Sequence, residues 1–394
     1  DYVGLRGLLE DRGRATWLDG AINALRDLLA PGRAVDRHRA EQGLEARYAP
    51  QALPGTVDPQ APALRRRLLA HQGLDLLSNR YARAHRSVFV LLYLGAAVAL
   101  SCAVGALYFE KTCVLGAVTQ WLGHGEAGVP LKYVLTTLEL LVLLAMYLGV
   151  RRDRGRHWHE RWIDYRTGAE LLRCGLFLPL LASGGSRWQL RLRALETVDL
   201  RHGDPDAAAA PRAWTALYVA AVARWAGPLP ARFDRAHCEA VRDHVRCTHV
   251  GGQIDYNALT SARSALMAER LLRFGRTLFF LTIAMVVLKL ASPLAVQYLG
   301  WPELAKYAAA GLLAGVLPAL AAASFGIRSH AEFEIVNKRS RFTLRRLERH
   351  ADALGASTLT RDALERAAHR AADTLVTDTL DWADLFEEKE THAE

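Results

Sequence analysis

Four stretches of the chain stay apolar on every helical face over about 20 residues, the length a helix needs to cross a hydrocarbon core. Residues 87–109 and 307–327 contain no charge, residues 133–150 contain only Glu139, and residues 277–299 contain only Lys289. Buried helices of soluble domains seldom lack a polar side over such a length. The pattern predicts an all-α integral membrane fold with four transmembrane helices.

Arginines flank these stretches unevenly. Arg80, Arg83 and Arg86 precede the first, and Arg151, Arg152, Arg154 and Arg156 follow the second. Arg270, Arg273 and Arg276 precede the third, and Arg328, Lys338, Arg339 and Arg341 follow the fourth. The connections at 110–132 and 300–306 contain no arginine. Positive charge stays inside, so the expectation is two hairpins that both enter from and return to the cytoplasm, with cytoplasmic termini. The implied divisions are an N-terminal helical segment (1–60), a first hairpin (61–150), a cytoplasmic helical region (151–276), a second hairpin (277–327) and C-terminal helices (328–394). The halves echo each other: Arg83-Ala-His-Arg86 leads into the first span, and Arg273-Phe-Gly-Arg276 into the third. Each pair is followed by a helix-like segment, at 162–173 and at 333–347, so the repeats are expected to share one direction across the membrane.

Outside the spans, residues 61–86 read as a helix that continues into the first one, after a loop punctuated by Pro50, Pro54, Pro59 and Pro62. Two short helical patterns lie within 1–48. Trp158, Trp162, Tyr165, Ala169 and Leu172 form a stripe at steps of 4 and 3, as do Leu364, Ala368, Ala371, Leu375, Thr379, Trp382 and Phe386. Such stripes are core faces or, alternatively, subunit contacts. Residues 203–211 read as a loop, and 214–225 as a short apolar helix, either buried or lying on the membrane surface.

Composition changes this picture little. The formal charge of +9 is concentrated beside the apolar stretches, and no nucleic-acid motif accompanies it, so no nucleic-acid partner is expected. Five cysteines without a framework spacing argue against structural disulfides. Abundant Ala, Leu and Arg point to a high-GC bacterial genome. Residue 1 is Asp rather than Met, and the sequence is expected to begin downstream of another segment.

Candidate chemistry is sparse. His237, Cys238, His244, Cys247 and His249 crowd together, but on one helix only His244 and Cys247 lie at ligand spacing, unless a loop near Gly251-Gly252 intervenes. His157-Trp-His-Glu160 lacks the second histidine of a zinc-protease helix, because Ile163 stands there. No phosphate-cradling loop or nucleophile turn occurs. The expectation is no enzyme, no cofactor, no metal and no catalytic residue.

Charge inside the membrane is the stronger signal. Glu139 lies roughly 10 Å in from Lys132, and Lys289 roughly 15 Å in from Leu299. With Thr136, Lys132 and Glu139 form a polar stripe. Lys132, Thr136, Glu139 and Lys289 are therefore candidate pore or intramembrane polar residues, the alternatives being a structural Glu139–Lys289 pair or snorkelling. Gly311, Gly315, Ala319 and Ala323 make a small-residue seam for close helix packing, and Pro318 interrupts the same span.

Several short runs resemble one family. Asp75-Leu-Leu-Ser-Asn-Arg-Tyr81 before the first span, Trp162-Ile-Asp-Tyr-Arg166-Thr-Gly-Ala-Glu170-Leu-Leu-Arg173 after the second, Gln253-Ile-Asp-Tyr256 and Lys338-Arg-Ser340 are similar to the bacterial SLATT proteins, the SMODS and SLOG-associating two-transmembrane effectors. The likeness extends loosely over 70–390. It implies an oligomeric channel or pore-forming effector of anti-phage defence, acting on the lipid bilayer as a homo-oligomer. Its cytoplasmic region would be gated by a nucleotide second messenger or a sensor domain. The chain departs from the family in having two hairpins and no recognisable nucleotide-binding domain. A membrane-anchored scaffold that conducts nothing is the alternative.

Overall fold

The computed structural model describes residues 61–108, 113–114, 129–181, 213–229, 234–299, 308–356 and 360–391. The expected elements within 1–60, the loop at 203–211 and the connection at 300–306 lie outside them, as does Phe109 at the end of the first predicted span. The described residues are helical apart from a two-residue antiparallel pair, β1 (Cys113–Val114) with β2 (Val129–Pro130), in which Cys113 faces Pro130.

Helix α1 (Pro62–Tyr108) opens with proline at its first position, where a missing N–H costs no hydrogen bond. It carries the first apolar stretch without interruption, as the pattern at 61–86 predicts. Helix α2 (Leu131–Arg156) carries the second, and α3 (Trp158–Phe177) follows, running into a 3₁₀ turn at Leu178–Leu181. Next come α4 (Ala213–Ala226), α5 (Arg235–His244), a π-helical segment (Val245–Val250) and α6 (Gly251–Leu299). Helix α7 (Ala308–His330) contains Pro318, and α8 (Phe333–Ala356) and α9 (Arg361–Thr391) complete the chain. Four of these helices are long and apolar enough to cross a membrane.

The element order repeats. In each half a long helix is followed by a membrane-length helix, and a single residue in the left-handed region then redirects the chain into a further helix. Those residues are His157 (φ 50°), between α2 and α3, and Glu332 (φ 49°), between α7 and α8. A non-glycine residue there costs about 1–2 kcal/mol, so each is a fixed corner held by its surroundings.

The chain divides into two compact units. The first comprises Asp1–Ala84, His157–Ala262 and Val336–Glu394. Its core is built round α3, where Ile163, Tyr165, Ala169, Leu172 and Phe177 are buried. The stripe of α9 (Leu364, Ala368, Ala371, Leu375) is buried in the same core, and Trp162 stacks edge-on against Trp382 at 5.0 Å. The two stripes found separately in the sequence thus meet each other. Phe386 lies beyond the described side chains. Helix α4 buries Trp214, Ala216, Val219 and Val222, and Trp214 Nε1 donates to Asp164 at 2.8 Å. Of the two possibilities for 214–225, its inner face is buried in the helical core. Arg66 and Arg67 donate to the carbonyls of Trp225 and Gly227 (2.9 and 2.7 Å), capping the C-terminal end of α4. Gly168 lets α1 approach α3, since a Cβ there would lie 2.8 Å from Leu74.

The second unit comprises His85–Arg156 and Arg263–Ile335. Here α1 is the central helix. Gly95 and Gly105 receive Met146 and Leu135 of α2, and Gly149 of α2 receives Leu91. On the α7 side, Gly315 receives Val104, and Tyr93 sits over Gly326 so closely that an added Cβ would overlap its ring. Helix α6 meets α7 through Gly275 against Phe325 and through Ser324 Oγ donating to the Leu271 carbonyl at 2.8 Å. Arg328 and Glu334 form an ion pair at the α7 corner, and His85 faces Asp153 at 3.1 Å.

Candidate functional sites

The candidate polar residues of the apolar helices fall on different parts of the second unit. Leu135, Val142, Met146 and Gly149 form the row of α2 that contacts α1. Glu139, four residues beyond Leu135, continues that row and is half-buried. Glu139 therefore lies toward a protein neighbour. Thr136 is exposed and bends its hydroxyl back to the Lys132 carbonyl at 2.8 Å, the usual way a hydroxyl is satisfied inside an apolar helix. The Lys132 ammonium lies 5.3 Å from the Tyr133 ring centre. Lys289 is exposed on α6.

Of the small-residue seam, Gly315 contacts Val104, Ala323 is buried, and Ala319 is half-buried. Gly311 is helical, but its surroundings lie outside the described residues, and Pro318 is exposed. Ser324 and Gly326, both in close contact, belong to this packing surface although strict four-residue spacing misses them.

The histidines and cysteines do not converge on one point. No loop forms at Gly251-Gly252, which begin α6. His237 is buried, with Nε2 donating to the Leu180 carbonyl at 2.9 Å, while Cys247 is exposed. The π-helical register brings His244 and His249, five apart in sequence, to 5.0 Å edge-on, and His249 also lies 4.9 Å from the Phe177 ring. Ordinary helical spacing does not foresee that contact. Among the described residues no group of three or more His, Cys, Asp or Glu is placed to hold a metal.

The first unit holds a charge cluster that the sequence reading did not single out. Glu170 is buried between two guanidiniums of its own helix: Arg166 Nη2 at 2.7 Å and Arg173 Nη1 at 2.8 Å. Arg166 also reaches Asp75 at 3.5 Å and lies 5.5 Å from the Tyr256 ring centre. Burial alone would push the Glu170 carboxyl up, but Arg173 and Arg166 outweigh it and hold the pKa at about 2. Beside it His71 donates from Nδ1 to the Ala169 carbonyl at 3.0 Å. Burial, reinforced by Arg173, lowers its pKa to about 4 against the pull of Asp75 and Glu170. Burial, then His244 and Arg173, keep His249 well below the usual histidine range.

At neutral pH this is a paired set of fixed charges beside neutral imidazoles. It rigidifies a helix junction and offers no activated nucleophile. It also unites runs far apart in sequence, with Asp75, Arg166, Glu170, Arg173 and Tyr256 in one place and Tyr81 stacked on Tyr165 at 5.5 Å. The available signal was the spacing 166, 170, 173 on a helix whose other faces are apolar: such charges have no route to water and must pair. No family model, curated protein or solved structure matches the chain.

Proposed function

We propose that this chain is an oligomeric channel or pore-forming effector of the bacterial inner membrane, akin to the SLATT proteins. Both hairpins start and end in the cytoplasm, and a nucleotide signal or a partner acts through the cytoplasmic helices. The observation that carries the reading is Glu139, an ionisable group within the apolar stretch of a membrane-length helix with no buried residue, lying in the row that meets α1. Groups of this kind line ion paths or pair at helix interfaces, because lipid does not tolerate them. Two further features support it. Three of the four runs that resemble the family meet in one cluster. Two of its helices, α1 and α6, also carry apolar stretches.

Ion flux from liposomes containing the purified chain tests the proposal. The wild type should conduct, and Glu139→Gln should alter cation-over-anion preference or conductance while assembly is retained. A chain that is monomeric in detergent and passes no ions would sink the pore reading and leave the non-conducting scaffold. Topology is tested separately by reporter fusions after Glu126, after Asp204 and at the C-terminus, expected to report outside, inside and inside. An outside signal at Asp204 removes the two-hairpin arrangement.

A further inference from the structure

Helix α8 belongs to the core along one side only. Ser340, Thr343, Leu347 and Leu354 are buried. On the same side Arg339 is held by Asp378 at 3.0 Å, and Arg346 and His350 reach the Thr374 hydroxyl. The opposite side carries Lys338, Arg341, Phe342, Arg345 and Arg349, all exposed. At 3.6 residues per turn these five fall within about 100° of one another. Glu348 is the single opposing charge among the exposed residues of that stretch. Among the described residues none of the four cations closes an ion pair with a carboxylate; Arg349 donates instead to the Arg345 carbonyl. Phe342, in their midst, is 60% exposed. The Arg346 guanidinium lies 5.7 Å from its ring centre, and the rest of the ring protrudes among the cations.

We propose that this face docks on the anionic headgroups of the bilayer, with Phe342 inserted at the acyl boundary. Charge complementarity selects an anionic partner, and the aromatic selects one with an apolar layer behind its charge. A duplex would take the cations and leave the ring unused. Chain continuity adds proximity: α7, of membrane length, ends at His330, and even a fully extended chain holds Lys338 within about 30 Å of it. The inference rests on the spans lying in a bilayer, not on conduction.

The test uses the full chain with Phe342→Trp, reconstituted in vesicles of phosphatidylcholine alone or of an equal mixture with phosphatidylglycerol, with and without bromine on the acyl chains. The fluorescence added over the wild type should be blue-shifted and quenched about two-fold more in the anionic vesicles, and raised salt should weaken the effect. Adding K338Q, R341Q, R345Q and R349Q should abolish the difference, whereas R341K, R345K and R349K should preserve it. Equal quenching in both lipids, or none in either, overturns the proposal even if the chain conducts. Retention of duplex DNA without lipid-dependent quenching overturns it in favour of a nucleic-acid partner. A chain that does not float with either vesicle overturns both this proposal and the membrane reading.

Discussion

Helices α2 and α3 are separated by one residue, His157, and treat their side chains in opposite ways. Helix α2 is almost purely apolar through its first five turns, yet none of its residues is buried, and Leu140 is 64% exposed. Helix α3 carries Arg166, Glu170 and Arg173, yet most of it is buried, these charges included or nearly so. Burial here does not follow hydrophobicity. The apolar helix is long and apolar enough to cross a membrane, and leucines in lipid would need no protein cover. The charged helix has only protein round it, and it is admitted to a core because its charges neutralise one another.

Removing one charge from the buried set should have the largest effect. Glu170→Gln removes the carboxylate that Arg166 and Arg173 share, and losing one partner of a buried pair costs about 3–5 kcal/mol. Thermal unfolding of the full chain in detergent, followed by circular dichroism, should show a large fall. Glu139→Gln in α2 should stay close to wild type by the same measure. If the two behave alike, the contrast between the helices is wrong.

Acid should act on the same side of the comparison. His71 has a pKa lowered from about 6.5 to about 4. The unfolded chain then binds a proton more readily, so the stability due to the neutral imidazole is complete above pH 6.5 and is lost as pH falls toward 4. Glu170, lowered from 4.5 to about 2, contributes fully above 4.5 and loses its share as pH falls toward 2. At roughly 1.4 kcal/mol per unit, the histidine alone accounts for about 3 kcal/mol. The melting temperature should fall between pH 6.5 and 4, and His71→Gln should flatten that slope.

Three glycine substitutions sharpen the picture within the helices. In the span unit, Gly326→Ala drives a methyl into the Tyr93 ring and should cost about 1–3 kcal/mol, with the loss visible in thermal stability. Gly315→Leu should weaken the contact with Val104 in the same way, whereas changes at the exposed Leu313 should be mild. The smallest effect is expected at Gly73, exposed in the middle of α1 with nothing within 4 Å of an added Cβ. Gly73→Ala should stabilise by about 0.5–1 kcal/mol, because alanine loses less chain entropy in a helix.

The sequence alone was enough for the four apolar helices, for α1 running on from residue 61, and for the stripes on α3 and α9. These depend on period and length, which a linear pattern carries in full. The glycine seam was legible in part: Gly315 and Ala323 keep four-residue spacing, while Gly326 matters because Tyr93, more than 200 residues away, happens to lie over it. Only the tertiary structure decided that the two stripes meet each other, that Glu139 turns toward α1, and that Asp75, Arg166, Glu170 and Tyr256 form one cluster. It also decided the His244–His249 contact, because a π turn shifts the register by one residue, and no periodic template announces where that happens. The physical reason is common to all of these. Helical repeat and hydrophobic length are properties of neighbours in the chain, whereas a buried charge is defined by partners that the chain brings back from far away.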